Sequence, residues 1–174
     1  MASIRVLFCN VLFRTAQKAG LGPWREFRGL IPGSAARPAD IFLRSWHLGR
    51  DAALDVTVIS PLQSAVVDRE AAESGYALRF AWERKMRSAF DACDAQRISF
   101  IPLPAETFGG WHPQAALQIS RIGRELARSP TGTDHKTVLK HLFQRLGLSI
   151  QKGNAALILS RSTDVLSPDI LGSY

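Results

Sequence analysis

Two aspartates and one lysine are the residues of this chain whose types and spacing could do chemistry. Asp40 opens the apolar run Ile41–Phe42–Leu43, and Asp55 sits inside Leu54, Val56, Val58 and Ile59. A lone carboxylate is costly in such surroundings. Fourteen residues separate the two acids. If those residues form a hairpin, the acids come to adjacent strands, and if their side chains share a face both can ligate one divalent cation. Oxygen-only ligands suit Mg²⁺ or Mn²⁺, with water completing the shell. An ion so held activates water and stabilises a leaving oxygen, the needs of phosphodiester hydrolysis. The plainer alternatives are that Asp40 caps the start of a strand or pairs with Arg37, and that Asp55 pairs with one of several arginines.

Lys85 is the third candidate. On a helix over 68–95, Leu78, Trp82, Met86, Ala89 and Cys93 share one apolar face. At roughly 100° per residue, Lys85 falls at the edge of that face, whereas Glu83, Arg84 and Arg87 point away. A lysine aimed at the sheet can orient a nucleophilic water or stabilise charge on a phosphate. The bland alternative is a lysine that lays its stem on the core and keeps its ammonium in water.

The elements that must position these groups follow from the apolar periodicity. A helix is expected over 3–19, ended by Gly20 and Gly22–Pro23, and then a Gly/Pro-rich connection over 20–37. Strands are expected near 39–44 and 52–59 around a turn at His47–Arg50. In that hairpin Asp40 lies opposite position 56 or 57. Leu54, Val56 and Val58 point one way, and Asp55, Thr57 and Ile59 the other. After the 68–95 helix, Ile98–Leu103 reads as a buried strand. Pro104–Trp111 reads as a Gly-rich turn. Helices follow over 113–128 and 135–152, with apolar stripes of Ala115, Ile119, Ile122, Leu126 and of Leu139, Leu142, Phe143, Leu146, Ile150. Ala155–Leu159 carries a weak strand signal. The fold class is α/β, a small central mixed sheet with flanking helices.

Composition narrows the function. A length of 174 residues suits one domain, and 46% apolar residues suffice for a core. No apolar run approaches the roughly 18 residues of a membrane span, and the apolar start reads as a helix rather than a signal peptide. Cys9 and Cys93 are far apart and belong to no metal-ligand cluster, which fits reduced thiols in a nuclear or cytoplasmic setting. His47, His112, His135 and His141 show no metal-ligand spacing. There is no phosphate-binding glycine loop and no G-x-S-x-G elbow. The net charge is +7, which favours a polyanionic partner, with nucleic acid (DNA, or RNA) ahead of a membrane surface. Residues 1–60 and 111–174 each carry eight basic against four acidic side chains, whereas 61–110 carry six against seven.

The basic ends contain a candidate nucleic-acid surface. Arg121, Arg124 and Arg128 recur at i, i+3 and i+7 off the apolar face, and Lys136 and Lys140 form an i, i+4 pair, as do His141 and Arg145. Such stripes grip phosphates without reading sequence, and a merely solvated face is the equally simple alternative. Glu106, beside Gly109 and Gly110, is a candidate for the edge of the acid pair, with a locally satisfied turn acid as the favoured alternative. Trp46 near the hairpin tip either stacks on a base or packs locally.

Taken in order, RPAD, LDVTV, ERK, FIPLPAETFGGW and KHLFQRLGLSIQKGNA resemble the PD-(D/E)xK, restriction-endonuclease-like domain of non-LTR retrotransposon reverse-transcriptase polyproteins. The likeness spans roughly residues 5–160. It implies a restriction-endonuclease-like core over 1–160, with a helical C-terminal part over 112–152 and a tail over 161–174. By the same resemblance Asp40 and Asp55 bind Mg²⁺ or Mn²⁺, and Lys85 replaces the lysine expected where Thr57 stands. The family's Pro-Asp is here Pro-Ala-Asp, and Phe8–Cys9–Asn10 stands where relatives carry an Arg-His-Asn-like segment. The implied activity is DNA nicking by a metal-dependent hydrolase. The alternative is an inactive nucleic-acid-binding remnant of the same fold, cut from a longer polyprotein with a reverse transcriptase and zinc knuckle upstream.

Overall fold

The computed structural model describes residues 3–25, 30, 39–130 and 132–165, with 161–165 described by backbone only. Arg37 and residues 166–174 of the expected tail lie outside the described residues, as does most of the 20–37 connection. The chain is an α/β sandwich around a four-stranded mixed sheet.

Helix α1 spans Ile4–Lys18. The Ser3 hydroxyl accepts the Val6 N–H at 3.3 Å, satisfying one free donor of the first turn. Ile4, Phe8 and Leu12 recur every four residues and form its buried stripe. A two-residue strand, β1 (Trp24–Arg25), pairs with β2 (Ile41–His47), and β2 turns into β3 (Arg50–Ile59). Leu48 and Gly49 both have positive φ, 51° and 74°. That is the twist a two-residue hairpin turn requires. The register of β2 shifts between Leu43 and His47. There Ser45 takes φ 48° and its N–H donates to Asp51 Oδ1 at 2.9 Å.

The helical stretch expected over 68–95 is two helices, α2 (Val67–Ala72) and α3 (Tyr76–Asp94). Gly75 breaks them with φ 82°, and the Glu70 carboxylate accepts the Gly75 N–H at 2.7 Å. A side chain that satisfies the orphan donors of a new helix makes the break favourable. β4 (Ile98–Glu106) runs parallel to β3, so α2 and α3 form the crossover. β4 is longer than expected and takes in Glu106. It pairs with only one strand of the sheet, β3, a setting that tolerates Pro102 and Pro104.

Helices α4 (Pro113–Arg128) and α5 (His135–Val165) complete the fold. Residues Ala155–Leu159, expected as a weak strand, lie within α5. They find no neighbouring strand among the described residues, and a helix satisfies its own backbone groups. The backbone of 161–165, expected as tail, is also helical.

The core lies on both faces of the sheet. On one face Ile41, Leu43, Leu54, Val56 and Leu103 pack under α1, α4 and α5. On the other, Phe42, Ala53 and Phe100 pack near Cys93 of α3, and Ile59 packs on Ala77 and Ala81. The alternation expected of β3 is therefore the one observed. At Gly153 of α5 a Cβ would lie 2.9 Å from the Ile4 Cα, so the absence of a side chain lets α5 sit against the start of α1. Among the described residues no helix is long and apolar enough to cross a membrane.

Candidate active site

β2 and β3 bring Asp40 and Asp55 together because Ile41 pairs with Leu54. One rung further, Asp40 faces Asp55 itself, rather than position 56 or 57 as expected. The Asp40 N–H donates to the Leu54 carbonyl at 2.9 Å, which continues the pairing just past the end of β2. Both acids are buried, Asp40 at 9% exposure and Asp55 at 4%.

Their partners differ. Asp40 Oδ2 accepts the Val56 N–H at 2.9 Å and the Arg5 Nε–H at 3.1 Å. Its Oδ1 accepts from Arg5 Nη2. Asp40 thus does for Val56 what a strand carbonyl would do, and it holds a two-pronged guanidinium from α1. Asp55 meets a cation from a different helix: Lys85 Nζ of α3 lies 2.8 Å from its Oδ2. That oxygen has no aligned hydrogen bond, so the contact is one of charge. Burial pushes the Asp55 carboxyl above its ordinary range, Lys85 pulls it back, and the nearby Asp40 adds to the push. Lys85 is thus aimed at the sheet, as its place on the helix implies.

The two cations, not the acids themselves, line an open groove of about 830 Å³ at the C-terminal end of β3, whose lining includes Arg5, Thr57, Arg84, Lys85, Thr107 and Asn154. The hydroxyls of Thr57 and Thr107 are buried and have no hydrogen-bond partner among the described residues. The Asn154 side-chain amide donates to the Thr107 carbonyl at 2.8 Å, fixing α5 over the groove.

The residues fit a hard cation in one respect and resist it in another. Asp55 Oδ2 is a buried, unaligned acceptor beside a second carboxylate, the oxygen donor set that Mg²⁺ or Mn²⁺ uses with water. Both oxygens of Asp40 are already engaged, and Arg5 must release one of them. Among the described residues no group of three or more His, Cys, Asp or Glu gathers to hold a metal. Two carboxylates with water are the whole offer, which is sufficient for Mg²⁺.

Sequence reasoning missed Arg5. It lies 35 residues before Asp40 on a helix whose stripe gives no sign of what its polar side meets. Only the likeness of the nearby Phe8–Cys9–Asn10 to an Arg-His-Asn segment pointed to that helix.

Other candidates fall elsewhere. Glu106 ends β4 opposite Ile59, whereas Asp55 faces Pro102. Four residues of strand, about 13 Å, therefore separate Glu106 from the acid pair. Burial and the nearby Glu70 push its carboxyl upward. Trp46 donates its indole N–H to Gln118 Oε1 at 3.0 Å and packs on the core, so it is a packed side chain, not an open stacking platform. His112 caps α4 through Nδ1 and stacks on Trp82. Burial lowers its basicity.

Arg121, Arg124 and Arg128 line a second cleft, with Trp46 and His47 of the hairpin. Arg128 is tied to Glu125 at 2.8 Å. Lys136 and Lys140 are exposed on the first turns of α5. The structure thus gathers the three arginines beside the hairpin tip.

A mixed α/β sandwich with an opposed acid pair and a lysine from the crossover helix is what the fold and site define. No family model matches the chain, and no curated protein and no solved structure matches it.

Proposed function

We propose that this chain is a metal-dependent DNA endonuclease-like domain of retroelement origin that nicks DNA by phosphodiester hydrolysis. The observation that carries this reading is the Asp55–Lys85 contact of 2.8 Å, across from Asp40 on the neighbouring strand. It supports the resemblance in the PD-(D/E)xK motif, with the lysine supplied by a helix.

Asp40 and Asp55 would hold Mg²⁺ or Mn²⁺, which supplies a Lewis acid for the phosphate and a more acidic bound water. Lys85 is 28% exposed at its side chain, so it reaches both Asp55 and the groove. From there its ammonium orients an attacking water and stabilises negative charge growing on the phosphoryl oxygens. Asp55 in turn holds Lys85 in place. The basic ends of the chain, with Arg121, Arg124, Arg128, Lys136 and Lys140, supply phosphate contacts independent of sequence.

Incubation with supercoiled plasmid and Mn²⁺ tests the assignment. Nicking is expected, and it is expected to vanish in Asp55→Ala; nicking that persists in that variant overturns the reading.

A second reading has its own observation. The fork of Arg5 on Asp40 neutralises one acid without a metal. This favours a nucleic-acid-binding remnant that keeps the fold and has lost cleavage. It predicts salt-sensitive DNA binding with no nicking in Mn²⁺, and binding indifferent to Asp55 substitution.

A further inference from the structure

Among the described residues the groove's lining carries three cations, Arg5, Arg84 and Lys85, and no carboxylate. Arg5 answers Asp40 and Lys85 answers Asp55, and Arg84 on the groove wall adds a third cation. Below them lie two buried hydroxyls, Thr57 and Thr107, each with a proton to donate and no partner among the described residues to take it. A site with surplus cations and idle donors is built for an anion rich in acceptor oxygens.

Arg5 is placed to be the grip. Its side chain is 54% exposed, whereas that of Asp40 is 9% exposed, so the guanidinium stands at the groove's mouth with its anchor behind it. A guanidinium has five N–H donors, and Asp40 uses two of them. The remaining three are free to meet a second anion in the fork geometry that suits phosphate. The same guanidinium occupies the side of Asp40 that a divalent cation needs.

We propose that Arg5 is a phosphate-gripping residue that holds a nucleic-acid backbone phosphate over Thr57 when no divalent cation is bound, and that it competes with that cation for Asp40. This rests on the phosphodiester reading of the groove, which the nuclease and the binding remnant share. Metal-free binding and cation loading then become opposed states of one carboxylate.

The test uses the full chain and needs no cleavage. Binding of a short DNA duplex is measured in EDTA across a salt series. Arg5→Ala is expected to weaken it by about tenfold and to lower the salt slope by about one. Arg5→Lys, which keeps charge but loses the fork, is expected to fall between. Arg14→Ala, an exposed arginine on the same helix, controls for general charge and should leave the slope within experimental error. Mn²⁺ binding is followed separately by electron paramagnetic resonance, where Arg5→Ala is expected to bind more tightly than the parent. An unchanged slope, an unchanged Mn²⁺ affinity or no duplex binding by the parent overturns the inference. Failure of the parent to nick plasmid would overturn the nuclease reading alone.

Discussion

Asp40 faces Asp55 across one rung of the β2–β3 pair, yet each holds a cation from a different side of the sheet. Arg5 arrives from α1 and Lys85 from α3. Asp40 escapes the strict alternation of its strand because it lies just beyond the end of β2, where its carboxylate turns to the Val56 N–H. The acids are close enough for each charge to be felt by the other, and each has been given its own counter-ion. Removing one counter-ion leaves a buried carboxylate uncompensated, so the four residues act as a set.

Lys85 separates catalysis from binding. If it stabilises charge that develops only in the transition state, Lys85→Ala lowers the nicking rate by about 10²–10³-fold. Duplex binding in EDTA should change by no more than about threefold, near the loss of one phosphate contact at moderate salt. Quantified plasmid nicking beside a binding titration gives both numbers. Equal losses in the two would make Lys85 a binding residue.

Asp55 should cost the fold stability at neutral pH. Its folded carboxyl holds a proton more tightly than its ordinary value of 3.8 implies, so the folded state binds more protons than the unfolded one across that window. The contribution is therefore most favourable below pH 3.8 and is lost as pH rises through the raised folded value. Asp55→Asn removes the buried charge and leaves Lys85 able to reach water. It is expected to stabilise the protein at pH 7 by about 1 kcal/mol, roughly 2–4 °C in Tm. The gain should shrink as thermal melts are taken to lower pH, while cation binding by the parent improves as pH rises.

Gly153 is a distant handle on the site. A methyl group there must push against the Ile4 backbone, and Arg5 is the next residue. Gly153→Ala is expected to cost about 1–3 kcal/mol by overpacking, read as a shift in urea midpoint. It should also weaken metal-free duplex binding at a temperature where the variant is fully folded. Gly147→Ala meets open space on the same helix; it should raise the urea midpoint, by about 1 kcal/mol of helix propensity, and leave duplex binding unchanged.

The arginine cleft at the hairpin tip makes a graded prediction. Arg124 is exposed and Arg128 is tied to Glu125. Arg124→Ala should lower the salt slope of duplex binding by about one, and Arg128→Ala by less. Glu125→Gln should raise affinity, because it frees Arg128. Salt-dependent binding measured on these three variants distinguishes a phosphate-gripping cleft from a solvated face, which would give no ordering.

The hairpin, the two faces of β3 and the aim of Lys85 were legible in the sequence because each rests on a local period. Two-residue alternation put Asp55 with Thr57 and Ile59, and a 100° step put Lys85 at the edge of its helix. The break at Gly75 was not read, because apolar residues at helical spacing continue beyond it. What could not be read was the Arg5–Asp40 fork. It joins residues 35 apart through the packing of α1 over the sheet, and no local pattern encodes such a meeting. The Trp46–Gln118 bond, spanning 72 residues, was hidden for the same reason.

The seating of Ile4 against Gly153 also bears on synthesis. The acid hairpin pairs neighbours in the chain and can form as soon as it leaves the ribosome. Helix α1 precedes the hairpin in the chain and α5 follows it, so α1 must wait for α5 before it can settle. During that interval Arg5 has no fixed place beside Asp40, and the apolar face of α1 stays open to chaperones or to a neighbouring chain. The guanidinium that completes the site thus precedes both acids in the chain yet is set after them, so a nascent chain stalled before Gly153 would carry the acids without their lock.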